Sequence, residues 1–245
     1  MHQISRKVII EIPEIMGLDI SITNEVILVW AAAAITFIIF FIGSRRKNFV
    51  PKGFLANFLE ILIDMLDKQV IKENIGAEGK KWASFVMTTF FFILFANLLG
   101  MLPFPDYVKA PTSNINFTIA MASVIFITTI YINIKNNGIS GFIMKFIPKG
   151  IPGWITVLVF PIEVISWLAR PFSLAIRLFA NMMAGHALIF VLLGLVMVIP
   201  IYVKPLALAG AVMMNCFELF ICFIQAFIFA MLTSIYIKDA LAERH

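Results

Sequence analysis

EVISWLARPFSLAIRLFANMMAGH, residues Glu163 to His186, sets two arginines, a glutamate, an asparagine and a histidine inside sequence otherwise apolar enough to cross a bilayer. An arginine at mid-bilayer costs about 3 kcal/mol on insertion scales, so an intramembrane arginine needs a specific partner or a water-filled path. Arg177 is therefore the first candidate for function. On a helical wheel Glu163, Ser166, Arg170, Ser173, Arg177 and Asn181 all fall within an arc of about 80°, and His186 lies on the opposite face. The polar groups form a stripe. Interhelical hydrogen bonding accounts equally well for Ser166 and Ser173, and snorkelling for Arg170. Arg177, more than a helical turn beyond Pro171, has no such outlet.

The whole chain agrees with a membrane setting. Its 245 residues are 61% hydrophobic and 13% charged, with a mean hydropathy of +0.98, which excludes an ordinary soluble domain. Helix-like apolar runs without sustained polar/apolar alternation favour a helical bundle over an outer-membrane barrel. The net charge of +5 reflects basic loops and gives no reason to invoke nucleic acid. Cys216 and Cys222 share one apolar run and read as small fillers, not as a disulfide or metal site. Neither a cofactor nor a catalytic centre is expected. The first long apolar run starts near Val26 behind acidic residues, so no signal peptide is read.

Taken in order, the chain predicts an all-α integral membrane protein, a single membrane domain over residues 1–245 with about five membrane helices. Residues 1–23 are a short polar lead. The first span covers 24–43, long enough for the roughly 20 residues a crossing needs. Arg45, Arg46, Lys47 and Lys52 follow directly, which marks that end as cytoplasmic. Over 54–77, Leu55, Phe58, Leu59, Leu62, Met65 and Leu66 recur at helical spacing among Asn57, Glu60, Asp64 and Asp67, the pattern of an amphipathic helix at the inner interface. The second span is 83–103, stopped by Pro103 and Pro105, and the third is 114–134. Eight Lys or Arg lie in the first inner loop, one in the outer loop and three beyond the third span. The N-terminus is thus outside and the C-terminus cytoplasmic. No internal repeat of the transporter kind is visible.

Residues 155–198 are almost unbroken apolar sequence, about 65 Å as one helix against a hydrocarbon core of about 30 Å. One oblique helix is favoured over two spans split at Pro171, because the stripe keeps its phase across the proline. After a turn at Pro200 to Pro205 the chain returns over 206–237, with Asn215, Glu218, Cys222, Gln225 and Thr233 in one arc. Folded back about Ile201 and Tyr202, this strongly tilted hairpin sets Arg177 level with Gln225, and His186 level with Glu218 nearer the outer surface. Histidine and glutamate can pass protons near neutral pH, whereas arginine keeps its proton. A proton entering through His186 and Glu218 cannot hop past Arg177, and Glu163 suits a separate inner path. Such a device works only if something else carries the proton around the cation.

At these residues the sequence resembles subunit a of the F-type ATP synthase. RPFSLAIRLFANMMAGH, from Arg170 to His186, is similar to that family's signature around an essential arginine, and FELFICFIQAFIFAMLTSIYI, from Phe217 to Ile237, to its last helix. FFILFANLLGMLP and PTSNINFTIAMA resemble two further blocks, so the likeness covers most of 83–240. It implies a proton-translocating stator in which Arg177 faces an oligomeric c-ring, supported by Asn181 and Gln225. His186 and Glu218 would line the outer half-channel, Glu163 and Ser173 the inner one. Some bacterial members exchange the acid and the imidazole of these two positions; the order here is similar to mitochondrial and some proteobacterial forms. The family's usual outer-loop acid is replaced by Asn114. Implied partners are the c-ring, b-type peripheral stalk subunits, other ATP synthase subunits and the lipid bilayer. The implied location is a bacterial cell inner membrane, with the mitochondrial inner membrane as the alternative. A self-contained ion or solute transporter, with the stripe as its binding site, is the competing reading, and an inert scaffold a third.

Overall fold

A computed structural model describes residues 8–10, 21–45, 53–76, 79–102, 110–147 and 152–242. The elements run β1 (Val8–Ile10), β2 (Ile22–Thr23), α1 (Asn24–Arg45), α2 (Phe54–Met65), a π-helical segment (Leu66–Lys72), α3 (Glu73–Ile75), α4 (Gly79–Gly100), a 3₁₀ turn (Pro111–Ser113), α5 (Ile115–Met144), α6 (Gly153–Val198) and α7 (Lys204–Leu241). Helices α1, α4, α5, α6 and α7 are each long and apolar enough to cross a membrane. The chain is an all-α integral membrane protein, apart from the antiparallel pairing of β1 with β2 in what the sequence presented as a polar lead. Pro103, Pro105 and Asp106, and the basic residues Arg46, Lys47, Lys52, Lys109, Lys149 and Arg244, lie outside the described residues.

Helix α6 is continuous over 46 residues, with Pro161 and Pro171 inside it. Each proline removes one backbone donor, a loss that membrane helices tolerate where neighbouring groups re-satisfy the freed carbonyl. Pro171 therefore does not divide the element, and at 1.5 Å per residue α6 is about 69 Å long. Helix α5 runs ten residues past the expected end of its span and breaks helical geometry at Gly138, φ 70°, where a side chain would be strained.

The stretch read as one amphipathic helix over 54–77 is more varied. From Leu66 to Lys72 it winds as a π-helix, and Leu66, Val70 and Ile71 are buried there. At about 100° per residue these three spread over roughly 140°; at the 80° or so of i→i+5 winding they converge on about 80°. The wider turn thus buries all three. Gly79 is the matching concession, since a Cβ there would meet Ile71 Cγ2 at 2.8 Å.

The fold forms two compact units. One comprises Met1–Pro51, Thr88–Asn114 and Leu178–Phe227. Its core is built from Phe90, Phe91, Ile93 and Ala96 of α4, with edge-on ring contacts from Phe90 to Phe223 (5.8 Å) and Phe91 to Phe40 (5.7 Å). The other comprises Lys52–Met87, Ile115–Arg177 and Ile228–His245. There Trp167 sits among Phe126, Phe142 and Phe146, with ring centroids 4.3 to 5.4 Å away. Ser234 of α7 donates to the Val70 carbonyl at 2.7 Å and ties the π-helical turn down.

Candidate functional site

Helix α6 presents the polar stripe outward. Glu163, Ser166, Arg170, Ser173, Arg177 and Asn181 are all exposed, while Leu174, Ala175, Leu178, Met182 and Gly185 on the adjoining arc are buried. The flanking exposed residues are large and apolar, including Ile162, Ile165, Phe172, Ile176 and Met183. A line of charge on an apolar surface is costly in lipid and is the mark of a surface that meets a partner or a water path. The two arginines differ. Arg170 pairs with Asp239 at 3.0 Å and lies over the Tyr236 ring, and Lys145 donates to the Asp239 main-chain oxygen. Arg177 has no hydrogen-bond or ion-pair partner among the described residues.

Helix α7 turns its polar groups inward instead. Glu218 is 2% exposed, and Cys222, Gln225 and Thr233 are buried with it, whereas Asn215, placed in the same arc by the wheel, is exposed. Glu218 and Gln225 share a small cavity with Asn97, Leu178, Asn181, Met182, Ile221 and Cys222. Asn181 Nδ2 donates to Gln225 Oε1 at 2.8 Å, so the structure bonds these two candidates to each other. Both Glu218 oxygens, Gln225 Nε2, Asn97 Oδ1, Thr112 Oγ1 and His186 Nε2 are buried without a hydrogen-bond partner among the described residues. An interior of low polarity normally satisfies such atoms, and a concentration of unsatisfied ones marks a place built for something other than stability.

His186 and Glu218 are not bonded to each other. Glu218 packs against the preceding residue, Gly185, so closely that a Cβ at 185 would lie 2.4 Å from Oε1. The absent side chain of Gly185 is what makes room for the carboxylate. Ala110, Met182 and Cys222 form a buried cluster with Met101 packed on it, and Cys222 Sγ lies 3.5 Å from Met101 Sδ. Cys222 is a filler with a soft neighbour, as its run suggested.

A family model described as ATP synthase A chain matches residues 26–238. The chain belongs to that family. Proteins named ATP synthase subunit a from Chloroherpeton thalassium, Neorickettsia sennetsu and Ehrlichia chaffeensis are 39%, 38% and 36% identical to it. The matches cover 94%, 95% and 99% of this chain, and 69%, 94% and 98% of those proteins.

Five residues of these surroundings were not singled out from sequence: Asn97, Thr112, Gly185, Asp239 and Glu25. Asn97 carried a signal, being the one amide in FFILFANLLGMLP. Thr112 and Gly185 carried none, because their importance lies in contacts across the fold. Glu25, in the first turn of α1, accepts a hydrogen bond from Asn114 Nδ2. The position where resemblance led one to expect an acid therefore holds an amide that is bonded to an acid from another helix.

Proposed function

We propose that this chain is the proton-conducting stator subunit of an ATP synthase membrane sector, without a catalytic site of its own. Family membership supports the coarse reading over a self-contained transporter. The finer reading is carried by one observation: Arg177 stands exposed on the apolar surface of α6 without a partner among the described residues, while Arg170, two turns earlier on the same stripe, is paired with Asp239. The partner proposed for Arg177 is a carboxylate of a rotating c-ring. A fixed cation within about 4 to 6 Å lowers such an acid's pKa by about 1 to 3 units, so a protonated rotor site arriving there releases its proton.

In this mechanism Glu218, with His186, delivers protons from the side opposite the basic loops, and Glu163 and Ser173 serve the other side. Asn181 and Gln225, bonded to each other, hold the surroundings of the arginine in shape. Arg177 separates the two routes because a guanidinium cannot relay a proton by losing its own. The oblique α6 presents both routes to the c-ring at offset positions, with b-type stalk subunits bracing the assembly in a bacterial inner membrane.

Arg177→Ala tests this reading. The complex should assemble with its rotor and lose proton-driven ATP synthesis in membrane vesicles. Arg177→Lys should be uncoupled as well, since a desolvated ammonium can lose its proton and lacks the planar fork. Synthesis at the wild-type rate in Arg177→Ala vesicles would remove the assignment.

A further inference from the structure

We infer that Glu25 is the proton-collecting carboxylate at the mouth of the route to Glu218, a role that rests on the reading above. Glu25 sits in the first turn of α1, at the end opposite the basic residues that follow Arg45. It is half-buried, and Asn114 Nδ2 donates to its Oε2 at 2.5 Å. Asn114 cannot ionise, so the exchangeable proton of this pair belongs to Glu25.

The segment that carries Asn114 leads inward. Ser113 donates twice to the Ala110 carbonyl, from its backbone N–H at 2.9 Å and its hydroxyl at 2.7 Å, which fixes the 3₁₀ turn. Thr112 inside that turn is fully buried, and its hydroxyl has no partner among the described residues. Ala110 at its start packs into the cluster with Met182 and Cys222, two residues that wall the Glu218 cavity. It also lies so close to Gly100 that a Cβ there would come within 2.1 Å of the Ala110 Cβ. Asn97, nearly a turn before Gly100 on α4, lines the same cavity, and its amide oxygen has no partner among the described residues. Five consecutive residues, 110–114, thus hold the partner of one carboxylate at one end and touch the surroundings of the other at their start.

Between the two acids, the Thr112 hydroxyl and the Asn97 amide are dipoles that accept from and donate to water without holding a charge. Glu25 takes a proton from bulk water on its carboxylate. It returns that proton to water held along Thr112 and Asn97, and the Glu218 carboxylate receives one from the inner end. No other bond changes. A purely structural role for Glu25 would be a first-turn acid that complements the α1 dipole and ties Asn114 down.

Glu25→Gln separates the two roles, since the amide keeps an oxygen for Asn114 Nδ2 but carries no exchangeable proton of the needed acidity. In vesicles holding the assembled complex, proton-driven ATP synthesis should fall several-fold at low buffer. It should recover as imidazole is raised, because a mobile buffer replaces a lost collecting group. Glu25→Gln combined with Asn114→Asp should also recover, the carboxylate being restored within the same hydrogen-bonded pair. Wild-type rates in Glu25→Gln at every buffer concentration would overturn the inference. So would a loss that neither imidazole nor Asn114→Asp relieves. Glu218→Gln in the same vesicles tells the two failures apart: if it blocks synthesis while Glu25→Gln is silent, only the collecting role falls; if it too is silent, the route through Glu218 falls.

Discussion

Asp239 and Glu218 are the two carboxylates of α7, and the two units of the fold treat them in opposite ways. Asp239 is part-exposed and answered twice, by Arg170 at its carboxylate and by Lys145 at its main-chain oxygen. Glu218 is almost wholly enclosed and answered by nothing among the described residues. A buried polar group left without a partner costs about 1 to 3 kcal/mol, and Glu218 occupies such a site as its normal state. A bundle selected only for stability would pair it or replace it. The contrast separates a carboxyl group that holds the fold together from one kept available for exchange.

The sharpest way to break that contrast is to neutralise each carboxylate in turn. Glu218→Gln should reduce proton flux through the membrane sector on the order of 100-fold, the usual effect of losing a proton-transfer group. Asp239→Asn should leave flux within about fivefold, since a part-exposed ion pair contributes about 1 kcal/mol or less. Its effect should appear instead as earlier thermal dissociation of the detergent-extracted complex. Flux measured with a pH-sensitive dye in vesicles decides the matter, and equal losses in the two variants would erase the distinction.

Geometry gives a second test of about tenfold. Gly185→Ala sets a methyl group 2.4 Å from Glu218 Oε1, whereas Gly194 on the same helix has nothing within 4 Å of its added Cβ. Overpacking of this kind costs about 1 to 3 kcal/mol, and relief requires the carboxylate to leave its position. Gly185→Ala should therefore slow flux strongly while Gly194→Ala runs as wild type. A silent Gly185→Ala would show that the position of Glu218 is not critical.

Glu163→Gln should have a smaller effect, of a few-fold, because Glu163 is exposed on the stripe and water can replace a relay that solvent already reaches. Proton exchange with the inner side should slow while assembly is unchanged. A loss as large as that of Glu218→Gln would mean that exposure in the isolated chain does not survive in the complex.

The sequence carried most of the fold because lipid leaves the backbone few choices. Apolar runs of this length must be helices, and basic loops orient them. The stripe on α6 was legible for the same reason, since six polar residues at helical spacing in apolar sequence leave little room for accident. What stayed hidden depends on contacts between segments distant in sequence. Gly185 matters through Glu218, Thr112 through the turn that buries it, and Asn114 through an acid 89 positions earlier. The β1–β2 pair was invisible because three residues and two are too few to show alternation. The π-helical segment escaped because its apolar residues fit an α-helical pattern well enough until the burial of Leu66, Val70 and Ile71 together forced the wider turn.

That turn yields the smallest expected effect and confines it to the other unit. Ser234 is fully buried and donates to the Val70 carbonyl, which also accepts from Asn74 Nδ2 at 2.8 Å. Ser234→Ala removes one of the two side-chain donors to that oxygen among the described residues. The cost should therefore be about 1 kcal/mol, toward the low end for a buried hydrogen bond, since the carbonyl keeps a partner. Amide hydrogen exchange over Leu66 to Lys72 should quicken, with little change over α7 on either side of position 234. Proton flux should be nearly unaffected, because none of the unpartnered polar groups around Glu218 is involved. If Ser234→Ala slowed flux as much as Gly185→Ala, the distinction between polar groups that hold the fold and polar groups kept for exchange would fail.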